Sequence, residues 1–273
     1  MLSLKYNVEN KFEIGIDEAG RGPLFGRLYV AAVILPDVLH VEEEVPSLEE
    51  EVPSVDEEVL PEEDAKKKKT KVIKKAPKKK KDIGWTMVKD SKKIKNRATM
   101  TSISNYIKEN AKAWAIHFIE HDVIDKINIR QSVFQGMHEC IKQITSKLTL
   151  NDDYNKNNNK KNIFLLIDGN DFKPYSVYDD ATESLTTLPY ETIEGGDNKY
   201  LAIAAASILA KCARDDYIDE LCILHPELCE RYNIHKNMGY GTKAHLDGIV
   251  EHGITQWHRA SYGRCKDAEL HVV

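Results

Sequence analysis

Short runs of Ile, Val, Leu and Ala, set off by Gly or Pro, make the first pattern along the chain. Phe12–Asp17 and Leu28–Leu35 predict two strands joined by a Gly-rich turn. Ala113–Ile119 and Ile163–Ile167 predict two more, and Tyr190–Ile193 a short fifth. Between them the apolar spacing becomes helical. Ile103, Ile107 and Ala111 mark one face, and Val133, Met137, Cys140, Ile141 and Ile144 mark another. Asn198–Leu221 predicts a long helix whose four alanines within Ala202–Ala206 allow close approach to a sheet. Two strands followed by alternating strands and helices predict an α/β domain, a mixed sheet with helices packed on it.

The pattern breaks between Asp37 and Gly84, where no aromatic residue occurs. Val41-Glu-Glu-Glu-Val-Pro-Ser47 repeats as Leu48-Glu-Glu-Glu-Val-Pro-Ser54 and again, altered, as Val55-Asp-Glu-Glu-Val-Leu-Pro61. Glu42–Asp64 carries 12 acidic side chains and Lys66–Lys81 carries 11 lysines, so the block is nearly neutral. Such a segment cannot bury enough apolar area to offset its ordering entropy, which predicts a disordered insertion at 37–84. Pro46, Pro53 and Pro61 exclude a coiled coil. A solvated loop, a lysine tract for phosphate backbone and a nuclear import signal all remain open. Asn/Lys-rich residues 151–162 predict a surface loop. What remains, 1–36 and 85–273, is one domain.

Composition narrows the function classes. Hydrophobic residues make up 41% of the 273, enough for a core. No apolar run approaches the ~18 residues of a membrane span, and Met1–Lys11 does not resemble a secretory signal. Five cysteines without a Cys-x-x-Cys pair argue against a disulfide framework or zinc ribbon. The expectation is an intracellular protein, cytoplasmic by default, with a nuclear or virion-associated setting open because of the lysine tract. A formal charge of −5 leaves nucleic-acid binding to local patches.

The candidate chemistry lies where apolar runs meet acids and glycines. Ile14-Gly-Ile-Asp-Glu-Ala-Gly-Arg-Gly22 places Asp17 and Glu18 at a strand terminus, where both can turn toward one cleft. A strand followed by Asp-Glu is also a Walker B pattern, but no Gly-x-x-x-x-Gly-Lys-Ser/Thr loop accompanies it. Asp168 ends the strand Ile163–Ile167 before Gly169, and Asp197 follows Gly195-Gly196 at the predicted helix start. Taken singly, Asp168 reads as a turn residue and Asp197 as an N-cap. Together, carboxylates without His or Cys partners suit a hard cation, Mg²⁺ or Mn²⁺. Two such ions activate a water and stabilise the leaving oxygen of a phosphodiester.

Gly15-Ile-Asp-Glu-Ala-Gly-Arg-Gly-Pro-Leu24, with Ala31-Ala-Val33 behind it, resembles the opening signature of type 2 ribonucleases H, most closely ribonuclease HII. Asp90-Ser-Lys92, Asp168-Gly-Asn170, Gly196-Asp197, Ala205–Lys211, Arg214-Asp215, Gly239-Tyr-Gly-Thr242 and His258-Arg259 with Ser261 follow in that family's order. The resemblance covers the chain except for the two loop expansions. It implies an RNase H-like mixed five-stranded sheet flanked by helices, with a C-terminal helical part.

It also implies an endonuclease cutting the RNA strand of RNA–DNA hybrids and 5′ of ribonucleotides embedded in duplex DNA, leaving 3′-hydroxyl and 5′-phosphate ends. The matching metal ligands are Asp17, Glu18, Asp168 and Asp197, with Asp17 shared between two ions. Gly20, Arg21 and Gly22 would read the ribonucleotide 2′-hydroxyl through backbone groups. Tyr240 would stack on the next sugar and also bond that hydroxyl, and Lys92 would contact phosphate. A monomer is expected.

Asp215 lies 18 residues past Asp197, roughly 27 Å along a continuous helix, so it reads as a structural partner of Arg or Lys. Ser207 and Lys211 read as packing or supporting groups. Two other function classes are weighed. Paired histidines among His225, His235, His245 and His258 would serve a metal-independent ribonuclease that leaves a 2′,3′-cyclic phosphate. A non-catalytic duplex-binding or tethering protein would work through the lysine tract.

Overall fold

The computed structural model describes residues 2–10, 12–37, 84–149, 163–179 and 183–272. The insertion read at 37–84, except its two end residues, and the loop at 151–162 therefore lie outside the described residues. The described residues belong to one compact unit.

All five apolar runs are strands: β1 (Phe12–Ala19), β2 (Leu28–Ile34), β3 (Ala113–Ile119), β4 (Ile163–Asp168) and β7 (Tyr190–Ile193). They form one sheet in the order β3-β2-β1-β4-β7. β1 and β3 both run antiparallel to β2, while β1–β4 and β4–β7 are parallel. The sheet is mixed, as the pattern predicts. A separate hairpin, β5 (Ser176–Asp179) with β6 (Ser184–Thr187), precedes β7. Ser184-Leu-Thr-Thr187 is exposed throughout and carries no apolar alternation, so its sequence gives no strand signal.

Helices cover both faces. β2 is buried along its whole length, and its alternation splits the core in two. Leu28, Val30 and Ala32 join Ile14 and Ile16 of β1 against Val133, Met137, Cys140 and Ile141 of α3 (Ile129–Thr149). Tyr29, Ala31 and Val33 face α1 (Arg97–Asn110) and α4 (Leu201–Leu224). Ile14 and Ile16 are fully buried, and truncating either to Ala costs about 2–5 kcal/mol. Gly15 lies between them on the α4 side. A Cβ there would stand 2.3 Å from the backbone carbonyl carbon of Ala202, so glycine on the strand and alanine on the helix let the two backbones touch.

The long helix starts three residues later than predicted. Gly195 takes a left-handed conformation and Gly196–Asn198 form a 3₁₀ turn, so Tyr200, not Asp197, is the N-cap residue of α4. A short helix α2 (His121–Ile127) follows β3. After α4 come α5 (Glu227–Tyr232), α6 (Ile234–Asn237) and α7 (Lys243–His252), the expected C-terminal helical part. Among the described residues no helix is long and apolar enough to cross a membrane.

Candidate active site

Three parallel strands end at the same edge of the sheet, and each delivers an acid there. Ile16↔Ile167 is the last pair between β1 and β4, and the next residues are Asp17 and Asp168. Asp168 pairs in turn with Ile193, the end of β7, from which the chain reaches Asp197 through the 3₁₀ turn. Open α/β sheets place ligands in the crevice at such carboxyl ends.

β1 does not stop at Asp17. It continues on its β2 side through Asp17↔Ala31, Glu18↔Val30 and Ala19↔Tyr29. Alternation therefore separates the two acids, contrary to the expectation that a strand terminus turns both into one cleft. Asp17 takes the α4 side, where its carboxylate bonds the Ser207 side chain. Glu18 lines a small cleft with Arg21, Arg130, Phe134 and Asp168. Asp168 is the group both sense.

Burial pushes the Asp17 carboxyl well above the usual carboxylate range, and the charges of Glu18 and Asp168 push it further. Burial also raises Glu18, against the Arg21 guanidinium 3.4 Å away, and Asp168 adds to the rise. Asp168 is raised by burial and by Asp197, although the backbone N–H of Gly196 donates to its Oδ1 at 2.7 Å. Mutually destabilised carboxylates at one edge are a site short of positive charge.

Lys92 supplies part of that charge. Its ammonium lies 3.6 Å from Asp197 Oδ2, and Asp197, Asp90, Asp17 and Asp168 raise its pKa against the effect of burial. The side chain is 82% exposed, so it is free to swing toward a phosphate. Asp90 holds the turn beneath it by accepting from the Lys92 N–H at 2.9 Å. Asn198 bridges the set, donating to Asp90 and to Asp197. Asp90 enters the sequence reading only as part of Asp90-Ser-Lys92 and Asn198 not at all as a site residue, although an Asp two residues before an exposed Lys is a recognisable side-chain turn.

The residues fit a hard divalent cation. Every donor is a carboxylate oxygen, and Asp197 Oδ2 is buried with no hydrogen-bond partner. Among the described residues no three of His, Cys, Asp or Glu close into a ligand cage. The arrangement is an open, partial shell, which suits an ion that keeps waters and takes phosphate oxygens.

The predicted substrate-binding residues come together beside this edge. A Cβ on Gly22 would lie 3.7 Å from the Tyr240 ring, and Leu24 N donates to Gly239 O at 2.9 Å, so the Gly20–Gly22 turn faces Tyr240. Gly20 has φ +94°, and a Cβ there would stand 2.5 Å from Arg214 Nε and 2.9 Å from Arg27 O. The turn can thus be built only with glycine at this position. Tyr240 and Arg21 are half exposed.

Sequence comparison supports the family resemblance. The family model for ribonuclease HII matches residues 72–265. The chain belongs to the ribonuclease HII family. That family comprises metal-dependent endonucleases of the ribonuclease H class, and this chain is an enzyme of that kind. Ribonuclease HII of Parabacteroides distasonis is 34% identical over 259 residues, covering 95% of this chain and 94% of the relative. That of Bacteroides thetaiotaomicron is 32% identical over 269 residues, 98% of each, and so takes in the first hairpin that the family model leaves out. The fold is shared with Archaeoglobus fulgidus RNase HII in its PCNA complex (TM-score 0.52, 18% identity, 92% of this chain and 95% of that one). It is shared too with Bst-RNase HIII in complex with Mn²⁺ (TM-score 0.55, 12% identity, 96% and 70%).

Asp215 binds Lys211 Nζ at 2.5 Å and Arg97 at 3.3 Å, a structural partner as read. Ser207 supports Asp17 and meets Ser91 at 3.0 Å. His245 and His258 do pair, but both are buried and cannot reach a substrate, so this pair cannot serve as acid and base. The lysine tract lies outside the described residues.

Proposed function

We propose that this enzyme hydrolyses the RNA strand of RNA–DNA hybrids and cuts 5′ of single ribonucleotides in duplex DNA, leaving 3′-hydroxyl and 5′-phosphate ends. The observation carrying the reading is the convergence of Asp17, Asp168 and Asp197 at the carboxyl ends of three parallel strands, with Glu18 alongside. These four carboxylates would hold two Mg²⁺ or Mn²⁺ ions. Bound there, the ions supply an activated water and charge stabilisation for the departing 3′ oxygen.

The chain's own groups do the positioning. Gly20, Arg21 and Gly22 present backbone atoms to the 2′-hydroxyl, where no Cβ obstructs the sugar. Tyr240 stacks on the neighbouring sugar from across the turn. Lys92 exchanges Asp197 for a substrate phosphate, which leaves Asp197 unpaired to act as a ligand. The Ser207 hydrogen bond favours the ionised form of Asp17 against the effect of burial.

The test is a labelled DNA duplex carrying one ribonucleotide, incubated with Mg²⁺, with Mn²⁺ and with EDTA. A single metal-dependent cut 5′ of the ribonucleotide is expected. Cleavage confined to long hybrids would remove the roles given to Gly20–Gly22 and Tyr240, and cleavage of neither substrate would sink the reading.

A further inference from the structure

His258 and Arg259 have no role in the chemistry above, yet each is tied to one of the two substrate-reading segments. Arg259 is fully buried. Its guanidinium donates to the carbonyls of Gly20 at 2.7 Å, Gly26 at 2.9 Å and Arg21 at 3.2 Å. A buried cation spent on three carbonyls of one turn fixes the plane of its peptides, because the fork geometry is rigid.

His258 points the other way, and its protons can be placed by exclusion. The Thr255 backbone N–H can only donate, and it meets His258 Nδ1 at 2.9 Å, so Nδ1 is the acceptor. The neutral ring then carries its proton on Nε2, which donates to His245 Nε2 at 3.0 Å. That leaves the His245 proton on Nδ1, which donates to the Tyr240 carbonyl at 3.0 Å. One chain of hydrogen bonds with a single consistent direction runs from Thr255 to Tyr240.

The dipeptide is itself anchored. Arg259 N donates to Leu24 O at 2.8 Å. Asp125 of α2 accepts from Ala260 N at 2.8 Å, from Ser261 N at 2.9 Å and from the Ser261 hydroxyl.

We propose that His258-Arg259 is a positioning element for ribonucleotide recognition, setting the Gly20–Gly22 turn through Arg259 and the Tyr240 backbone through the His258–His245 relay. Adjacent residues on one anchored segment hold the two jaws at a fixed separation, so neither can adjust to a deoxyribose alone. The inference rests on the recognition roles proposed for those jaws.

Three variants test it: Arg259→Lys, which keeps the charge but loses the fork; His245→Leu, which loses both relay bonds; and His245→Asn, which keeps an amide donor for the Tyr240 carbonyl. Each is assayed for kcat/KM on a one-ribonucleotide duplex and for the Ki of the same duplex in all-DNA form as a competitor, beside its thermal melt. Arg259→Lys and His245→Leu are expected to lose about ten- to a hundredfold in kcat/KM with Ki within about twofold of wild type, and His245→Asn to recover most of the loss. Unchanged kcat/KM in folded variants overturns the inference, as does a fall matched by Ki, which would mark a purely structural role. Should one variant fail to melt cooperatively, the other two decide. A wild type that leaves the one-ribonucleotide duplex uncut removes the functional reading and this inference with it, whereas a cutting wild type with indifferent variants removes only the inference.

Discussion

The Gly196 N–H donates to Asp168 Oδ1 at 2.7 Å, tying the end of β4 to the turn that carries Asp197. Two acids 29 residues apart thereby share one rigid corner, and the charge of Asp197 raises the Asp168 pKa in addition to burial. Substitutions among these groups should move activity and stability in opposite directions.

Asp17→Asn is the clearest case. It removes a buried carboxylate that Glu18 and Asp168 already destabilise, so the metal-free protein should gain about 1 kcal/mol, a rise in Tm of roughly 2–4 °C. Cleavage should fall by about a thousandfold or more, as expected for losing several kcal/mol of metal-assisted stabilisation. A melt and an initial-rate assay on one preparation check both, and a drop in Tm would contradict the electrostatic account.

Divalent metal should itself stabilise the fold. An ion bound at 100 times its Kd adds about 2.7 kcal/mol, so Tm should climb with Mn²⁺ or Mg²⁺ and return on adding EDTA. Asp168→Asn should blunt the climb. A titration followed by thermal melting reads it, and equal shifts in wild type and variant would place the ion elsewhere.

Lys92→Gln should leave the melt nearly unchanged, because the side chain is 82% exposed. If Lys92 contacts phosphate, KM for duplex rises, and the dependence of log KM on log salt flattens by about one counterion. An unaltered slope would confine Lys92 to its contact with Asp197.

Burial pushes the His258 imidazole down to about 3, with His245 adding to the shift, and His245 is lowered too. Tyr232, Phe25 and Thr255 also face His258, and none brings an acidic partner. Between about pH 6.5 and 3 the unfolded chain binds a proton that folded His258 refuses, so stability falls as pH drops below 6.5 and is flat above it. The slope from His258 approaches about 1.4 kcal/mol per pH unit. Asp17, Glu18 and Asp168, with raised pKa values, act with opposite sign. Urea unfolding of His258→Gln beside wild type from pH 8 to 5 reads this slope, and parallel curves would refute it.

The five sheet strands were legible because each is an apolar run bounded by Gly, Pro or charge, and β2, buried on both faces, is apolar at every position. Asp17 and Asp168 were legible because each follows directly on an apolar stretch of its strand. The split of Asp17 from Glu18 was not, because it depends on β1 pairing with β2 beyond the point where its pairing with β4 stops. The start of α4 was misplaced because Asp197 looks like a cap, whereas it sits in the 3₁₀ turn Gly196–Asn198 and Tyr200 is the N-cap residue. The positioning contacts of Arg259 gave no local signal, since its carbonyl partners lie at the other end of the chain.

The register Ile34↔Ala113 has a consequence for chain architecture. These two residues close a loop that contains the whole charged block at 37–84. Loop-closure entropy grows only logarithmically, so lengthening that connection from about 30 to about 78 residues costs under about 1 kcal/mol. An edge hairpin with a tolerant connection is a place where a lineage can gain or lose dozens of residues while the catalytic edge, at strand ends supplied by β1, β4 and β7, feels almost nothing.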